Sequence, residues 1–97
     1  MAKGYWVVFY KAIKNQDQFI AYTKVAPAAV QSMGGKFLVR GMPVKTYEHG
    51  MNQRVVMIEF DSVEKAIAAH DSPAYKEALR VLGDAVERDL RVVEGLA

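Results

Sequence analysis

Two segments of the sequence are apolar on both of their alternating faces, and this feature limits the folds that the chain can adopt. Residues 4–13 are rich in aromatic and β-branched side chains, which predicts a strand. Successive side chains of a strand point to opposite sides, so one face would carry Tyr5, Val7 and Phe9 and the other Trp6, Val8 and Tyr10. Residues 54–60 predict a second strand of this kind. A sheet with helices on one side only normally has polar residues on its other side, which meets water. These strands therefore predict a sheet that is covered on both sides.

A helix is predicted between residue 15 and the glycine pair at residues 34–35. Asn15 is a suitable N-cap, and Gln18, three residues later, is able to return a hydrogen bond to it. Apolar residues then recur at three- and four-residue steps until Gly34, which accepts the left-handed conformation that ends helices. Pro27 lies inside this pattern and predicts a kink or a break, because proline has no N–H to donate.

The second half of the chain contains two more strands and a helical region in two parts. A strand over residues 36–41 is expected to bend at Pro43 and to continue extended over residues 44–48. The remaining predicted features are two helix caps at Ser62 and Ser72, a helix start at Pro73, a helix end at Gly83 and a last strand over residues 89–94. The order βαββαβ predicts a ferredoxin-like α+β fold. This is a four-stranded antiparallel sheet with helices on one face, here as one domain over residues 1–97.

Composition excludes several classes of protein. The 97 residues include no Cys, which excludes disulfides, a thiolate nucleophile and a sulfur-ligated metal site. The only histidines are His49 and His70, and no metal-binding or phosphate-loop spacing occurs, so the sequence gives no sign of a metal site or a cofactor. No apolar run is long enough to span a membrane, and the first four residues lack the apolar core of a signal peptide. We expect a cytoplasmic protein with no membrane partner.

The second apolar face of the sheet needs a cover, and there are two candidates. A second copy of the chain, packed sheet to sheet with two-fold symmetry, would bury it. Alternatively, the face would stack nucleic-acid bases, as RNA-recognition domains of the same element order do. When the last aromatic residue of their third-strand motif is placed on Phe60, the two stacking positions fall on Val55 and Met57, which have no rings. The sequence therefore favours a homodimer through the sheet faces, with no nucleic acid partner.

Arg40 and Glu59 are charged residues within otherwise apolar predicted strands. A turn near Gly50 would make these strands antiparallel neighbours and bring the two side chains within about one cross-strand step. One interpretation is a structural ion pair at the end of the sheet or at the dimer seam. The other is a pocket in which Arg40 binds a carboxylate and Glu59 acts as a base.

Three further residues lie in the predicted second helical region. His70 falls on the same side of the helix as Ala66 and Ile67, which is typical of a packed histidine but also compatible with proton transfer. Ser72 is explained as a helix cap, and Tyr75 is explained by helix packing with its hydroxyl near the surface.

Five blocks of the sequence, taken together and in order, resemble one known family. They are Gly4-Tyr-Trp, Gly34-Gly-Lys-Phe-Leu-Val-Arg-Gly41, Ile58-Glu-Phe60, Asp71-Ser-Pro-Ala-Tyr75 and Val93-Glu-Gly95. The family is the domain of unknown function numbered 1330, within the dimeric α+β barrel superfamily. The resemblance implies two ferredoxin-like subunits whose sheets pack face to face. The superfamily includes cofactor-free monooxygenases, muconolactone isomerases and haem-dependent enzymes, whereas this family has no settled activity.

The resemblance also implies candidate site residues. The family's recurring positions correspond to Arg40, Glu59, Ser72, Pro73 and Tyr75. Two positions depart from the family: His70 stands where a Tyr is usual, and Leu82 stands where an Arg is expected. If the family's pocket depends on those two groups, its ligand differs here.

The leading hypothesis is a homodimer that binds or transforms a small anionic or enolisable organic molecule in a cleft between the sheet and the helices. The reaction would be of the cofactor-independent monooxygenase or isomerase kind. In this hypothesis Arg40 orients the anion, and Glu59 or His70 transfers protons. Ser72 and Tyr75 bind the ligand. The alternative is a non-catalytic assembly or regulatory module in which the charged pair only fixes the register of the strands. RNA binding is a third hypothesis, and the missing rings argue against it.

Overall fold

The structure, a computed structural model, describes residues 2–96. Met1 and Ala97, the ends of the predicted domain, lie outside the described residues. The elements follow one another as β1 (Gly4–Ile13), α1 (Gln16–Ser32), β2 (Lys36–Gly41), β3 (Val55–Phe60), α2 (Val63–Asp71), α3 (Pro73–Leu82) and β4 (Val86–Glu94). Within residues 2–96 the strands form one antiparallel sheet in the order β2-β3-β1-β4. The predicted ferredoxin-like α+β fold is confirmed.

The two faces of the sheet have different surroundings. The inner face packs under the helices and carries Trp6, Val8 and Tyr10 of β1 and Val56, Ile58 and Phe60 of β3, each at most 7% exposed. The indole Nε1 of Trp6 donates to the carbonyl of Ala66 at 2.8 Å and so ties α2 to the sheet. The outer face carries the alternate residues of the same strands. It leaves large apolar side chains in contact with solvent, such as Phe9 at 41%, Val39 at 44% and Val93 at 43% exposure.

The first helix begins as the sequence predicts. The side chain of Asn15 accepts a hydrogen bond from the backbone N–H of Gln18 at 3.0 Å. The expected return bond from the Gln18 side chain is wrong, because that amide donates instead to the carbonyl of Val81 at 3.2 Å and links α1 to the end of α3. A break at Pro27 is also wrong: α1 runs through this residue as one helix.

Two boundaries of the sheet differ from the prediction. The segment 44–48 is not a strand, and residues 42–54 connect β2 to β3 instead. The irregularity of β2 lies between Phe37 and Val39 rather than at Pro43. At the other end of the chain β4 begins at Val86 instead of residue 89, because β1 is long enough to pair with it as far as Ile13. This earlier start brings Arg88 into the sheet.

The helices after β3 begin at the two predicted serines. The Ser62 hydroxyl accepts from the backbone N–H of Lys65 at 3.2 Å and starts α2. The buried side of α2 carries Ala66 and Ala69, whereas Ile67, expected on that side, is 48% exposed. Ser72 and Pro73 start α3, which ends at Gly83 with a φ of 53°. Among residues 2–96, no helix has both the length and the apolar character needed to cross a membrane.

Candidate functional site

A cleft of about 570 Å³ lies between α1 and the inner face of the sheet. It exists because α1 packs mainly on α3, whereas α2 lies directly on the strands. The volume is within the range of about 300–1,000 Å³ that is usual for small-molecule sites. Aromatic and aliphatic side chains form most of the walls, and the charged residues that line it are Arg40, Arg54 and Arg88. Within the described part of the chain, no Asp, Glu or His side chain lines this cleft.

Arg88 and three tyrosines meet in the cleft, and we call this group the Arg88 cluster. The Arg88 Nη1 donates to the hydroxyl oxygens of Tyr10 at 3.3 Å and Tyr22 at 3.2 Å. Its Nη2 donates to the hydroxyl oxygen of Tyr75 at 3.0 Å. The hydroxyls of Tyr22 and Tyr75 share a further hydrogen bond of 2.5 Å. One guanidinium thus holds three phenol groups from three different elements.

Local structure explains why these four side chains converge. Tyr10 lies directly opposite Arg88 in the β1–β4 register, on the inner face. Tyr22 belongs to the buried side of α1, one helical turn after Phe19. Tyr75 lies in the first turn of α3, where its backbone N–H donates to the Ser72 hydroxyl at 3.2 Å and its ring packs edge-on against Trp6 at 4.9 Å.

The electrostatics of the Arg88 cluster leave its positive charge uncompensated. Burial raises the pKa of the Tyr10 and Tyr22 phenols, and the neighbouring Tyr75 raises that of Tyr22 further. Burial also disfavours the charged form of Arg88. The electrostatic influence of Tyr22, Tyr75 and Tyr10 outweighs this and keeps the pKa of Arg88 above its normal value. Near neutral pH, Tyr10 and Tyr22 therefore stay neutral and Arg88 stays charged.

The Arg88 cluster has more hydrogen-bond donors than acceptors. A guanidinium has five N–H groups, and three of those of Arg88 are used on the tyrosines. Each tyrosine oxygen already accepts from Arg88, and one hydroxyl proton serves the bond between Tyr22 and Tyr75. The Tyr10 proton and one proton of the Tyr22–Tyr75 pair have no acceptor among residues 2–96. The cluster is therefore suited to a ligand atom that accepts hydrogen bonds.

Two further arginines line the same cleft at its β2–β3 side. Arg54 immediately precedes β3, and its guanidinium carbon lies 5.5 Å from the centre of the Phe19 ring. Arg40 lies opposite Val56 and faces the inner side, because the irregularity in β2 shifts the alternation by one residue after Phe37. Neither arginine, nor Arg88, belongs to any of the ion pairs found within residues 2–96.

The predicted site residues are only partly brought together. Arg40 and Tyr75 line the cleft. Glu59 lies on the outer face, where its carboxylate accepts from the Tyr5 hydroxyl at 3.2 Å. The expected closeness of Arg40 and Glu59 is wrong, because the strand opposite Glu59 contributes Lys36 and not Arg40. Glu59 therefore does not share the cleft.

His70 and Ser72 lie behind Tyr75 rather than in the cleft. The His70 ring centre is 5.3 Å from that of Tyr75, and its Nδ1 is 3.8 Å from a carboxylate oxygen of Asp71. Ser72 is buried, donates to the carbonyl of Ala69 at 2.8 Å and accepts from the N–H of Tyr75. Both residues contact Tyr75, and neither lines the cleft. Among residues 2–96, no group of three or more acidic or histidine side chains is placed to hold a metal ion.

Sequence reasoning missed the residues that organise the cleft. Arg88 fell outside the predicted last strand, although it alternates with Leu90 and Val92, which face the core. Tyr10 and Tyr22 lie on buried faces of β1 and α1, and a buried phenol needs a partner for its hydroxyl. That need was the available signal for a polar group inside the molecule.

The fold and the cleft define a ferredoxin-like α+β protein with a small-molecule-sized cavity under its first helix. The chain belongs to the family described as domain of unknown function DUF1330, whose model matches residues 3–96. No functionally curated protein matches the chain.

Solved structures share the fold at low sequence identity. A protein of unknown function from Rhodopseudomonas palustris has a TM-score of 0.75 and 16% identity, over 99% of this chain and 84% of that chain. SnoaB, a cofactor-independent oxygenase from Streptomyces nogalater, has a TM-score of 0.67 and 11% identity, over 100% of this chain and 96% of that chain. A dimeric ferredoxin-like protein of unknown function from Thermobifida fusca has a TM-score of 0.57 and 14% identity, over 98% and 92% of the two chains. At these identities the likeness concerns the fold alone.

Proposed function

We propose that the protein binds a small organic anion, or the enolate of an enolisable molecule, in the cleft under α1. The observation that carries this proposal is the Arg88 cluster: one charged guanidinium, three phenols and no carboxylate within the described residues of the cleft. A ligand oxygen with negative charge would accept hydrogen bonds from the spare N–H and O–H donors. Its negative charge would also compensate the positive charge of Arg88.

The walls of the cleft favour an aromatic or otherwise flat ligand. Trp6, Phe19 and Phe37 line it together with aliphatic side chains. Apolar walls with a few convergent polar groups are typical of sites that fix the orientation of a small molecule. One similar structure is that of a cofactor-independent oxygenase, and an enolate would be a suitable ligand for such a protein. A guanidinium and phenols that donate to the enolate oxygen stabilise the negative charge that develops on it.

Proton transfer by Glu59 or His70 is not part of this proposal, because neither side chain lines the cleft. What the Arg88 cluster supplies is binding and charge stabilisation.

Calorimetric titration with benzoate and with neutral benzamide tests the proposal. Both probes carry one ring, and only benzoate carries a charge at pH 7. We expect benzoate to bind at least about tenfold more tightly, since a hydrogen bond to a charged group contributes about 1.5–3 kcal/mol. We also expect Arg88→Gln to remove this preference. Arg80→Gln is the matched control, because Arg80 is exposed on α3 and pairs with Glu77 on the surface.

Equal affinity for benzoate and benzamide would contradict the proposal. So would an Arg88→Gln variant that remains folded and binds benzoate as the wild type does.

We further propose that a second copy of the chain covers the outer face of the sheet. This face carries Phe9, Val39 and Val93, each more than 40% exposed, across three of the strands. Exposed apolar patches of this kind mark contact surfaces. The similar protein from Thermobifida fusca is described as dimeric, which supports the choice of a second copy as the occupant.

Sedimentation velocity at micromolar concentration tests the dimer. Val7 lies on the outer face of β1, between Met57 of β3 and Arg91 of β4. We expect the wild type to sediment as a dimer and Val7→Asp as a monomer of 10.8 kDa. Ile67→Asp, at an exposed apolar residue of α2, should leave the dimer intact. A monomeric wild type would contradict this proposal, and the cleft would be unaffected.

A further inference from the structure

The cleft has a second cationic position, which the Arg88 cluster does not use. The Nε of Arg54 is buried and has no hydrogen-bond partner within residues 2–96. Its guanidinium carbon lies 5.5 Å from the ring centre of Phe19 and 5.9 Å from that of Tyr10. Contact with two rings accounts for the position of the guanidinium. It leaves the buried N–H without an acceptor, and such groups are rare in folded proteins.

Arg40 adds a second positive charge at the same side of the cleft. It pairs with Val56, and Arg54 lies two residues before Val56 on the same face, so Arg40 and Arg54 are diagonal neighbours across β2 and β3. Within the described residues neither forms an ion pair. The guanidinium carbon of Arg40 lies 4.8 Å from the centre of the Phe37 ring, so both arginines stack on aromatic rings of the cleft and keep N–H donors for an anion.

The two cationic positions lie against the same aromatic ring. Arg54 and Arg88 lie 5.9 and 5.8 Å from the centre of the same Tyr10 ring, so their guanidinium carbons are at most about 12 Å apart. The inner-face side chains of the sheet line the cleft along with them. One flat, apolar unit of about the size of a ring would connect anionic groups bound at the two positions.

We propose that the cleft recognises organic dianions, with one anionic group on the Arg88 cluster, an apolar ring as the spacer, and a second anionic group on Arg54 and Arg40. This inference rests on the proposed function, because it assigns the same cleft to a narrower class of ligand. It adds one feature to the binding of a single anion: Arg54 and Arg40 bind a second anionic group of the ligand.

Calorimetric titration with benzoate and the three isomeric benzenedicarboxylates, at constant ionic strength and pH 7, tests the inference. We expect at least one dicarboxylate to bind about tenfold or more tightly than benzoate, because it makes a second charge-assisted contact. The best of the ortho, meta and para isomers reports the separation of the two positions.

Variants show which residues cause the tighter binding of a dicarboxylate. Arg54→Gln should weaken the tightest-binding dicarboxylate by a larger factor than it weakens benzoate, and so remove most of the dicarboxylate advantage. Arg40→Gln, at an exposed side chain, should reduce the same advantage, and it keeps the test usable if Arg54→Gln does not fold. Arg80→Gln removes the same amount of charge outside the cleft and should change neither affinity.

The outcomes separate this inference from the proposed function. If benzoate binds and depends on Arg88, but no dicarboxylate binds more tightly, the dianion inference is wrong and the proposed function stands. The same conclusion follows if Arg54→Gln and Arg40→Gln weaken benzoate and dicarboxylate by equal factors, or if Arg80→Gln reduces the advantage as much as they do. If benzoate fails to bind, or binds equally well to folded Arg88→Gln, the proposed function fails and this inference fails with it.

Discussion

Replacing Arg88 with Met tests whether this arginine is kept for ligand binding or for stability. The side chain makes three hydrogen bonds, of 3.0 to 3.3 Å, to Tyr10, Tyr22 and Tyr75, and no ion pair within residues 2–96. If those bonds were net stabilising at about 1.5–3 kcal/mol each, their loss would remove most of the stability of a small domain.

The structure predicts a much smaller effect. The partial burial of an unpaired guanidinium costs several kcal/mol, and the substitution removes this cost together with the bonds. Tyr22 and Tyr75 keep the bond between their hydroxyls, so only the Tyr10 hydroxyl is left without its partner. We expect the free energy of unfolding of the ligand-free protein to change by about 1 kcal/mol in either direction.

Urea denaturation followed by tryptophan fluorescence measures this change. Trp6 is the single tryptophan and is only 1% exposed, so its emission reports the core. Wild type and variant must be compared at the same protein concentration, because dimerisation would couple concentration to stability. Arg80→Met is the control for loss of a surface arginine. A loss of about 4 kcal/mol or more for Arg88→Met would show that Arg88 is kept for stability and not for ligand binding.

Three further substitutions have defined outcomes. Burial raises the pKa of Tyr22 above its normal value of 10.0, so its contribution to stability is complete below pH 10 and is lost as the pH rises further. Tyr22→Phe should therefore make the unfolding free energy less dependent on pH above 10, and equal slopes in alkaline urea titrations would contradict this. Ser72→Ala should lower the free energy of unfolding in urea by about 1 kcal/mol, as the loss of a helix cap does, and should not change benzoate affinity. Weaker benzoate binding at unchanged stability would instead make Ser72 a ligand-binding residue. Gly35→Ala would place a Cβ too close to a methyl carbon of Val30, and thermal denaturation should show that the free energy of unfolding falls by about 1–3 kcal/mol. An unchanged melting temperature would mean that the core repacks without cost.

The fold was predictable because local signals agreed with one another. Apolar residues on both alternating sides of β1 and β3 indicated a sheet with two apolar faces. Asn15, Ser62 and Ser72 cap helices as their positions in the sequence suggest. These features depend on neighbours within four residues along the chain. They persist in the structure because tertiary packing does not oppose them.

The site was predictable only in part, because it depends on register. Strict alternation from Phe37 would put Arg40 on the outer face, but the irregularity in β2 returns it to the inner face and separates it from Glu59. The residues around Arg88 carry several charges and resemble a turn, yet pairing with the long strand β1 makes them part of β4. Neither the irregularity in β2 nor the early start of β4 can be read from the residues of that strand alone, because both are defined by pairing with a neighbouring strand.

The Arg88 cluster lacks a hydrogen-bond acceptor, and in the proposed function an organic anion supplies it. Side-chain NMR of the arginine Nε–H groups during a titration with benzoate observes this contact at Arg88 itself. We expect the Arg88 resonance to shift until it saturates, while that of Arg80, on the surface of α3, stays in place. If the protein takes up benzoate and the Arg88 resonance does not move, the anion binds elsewhere and the proposed role of Arg88 is wrong.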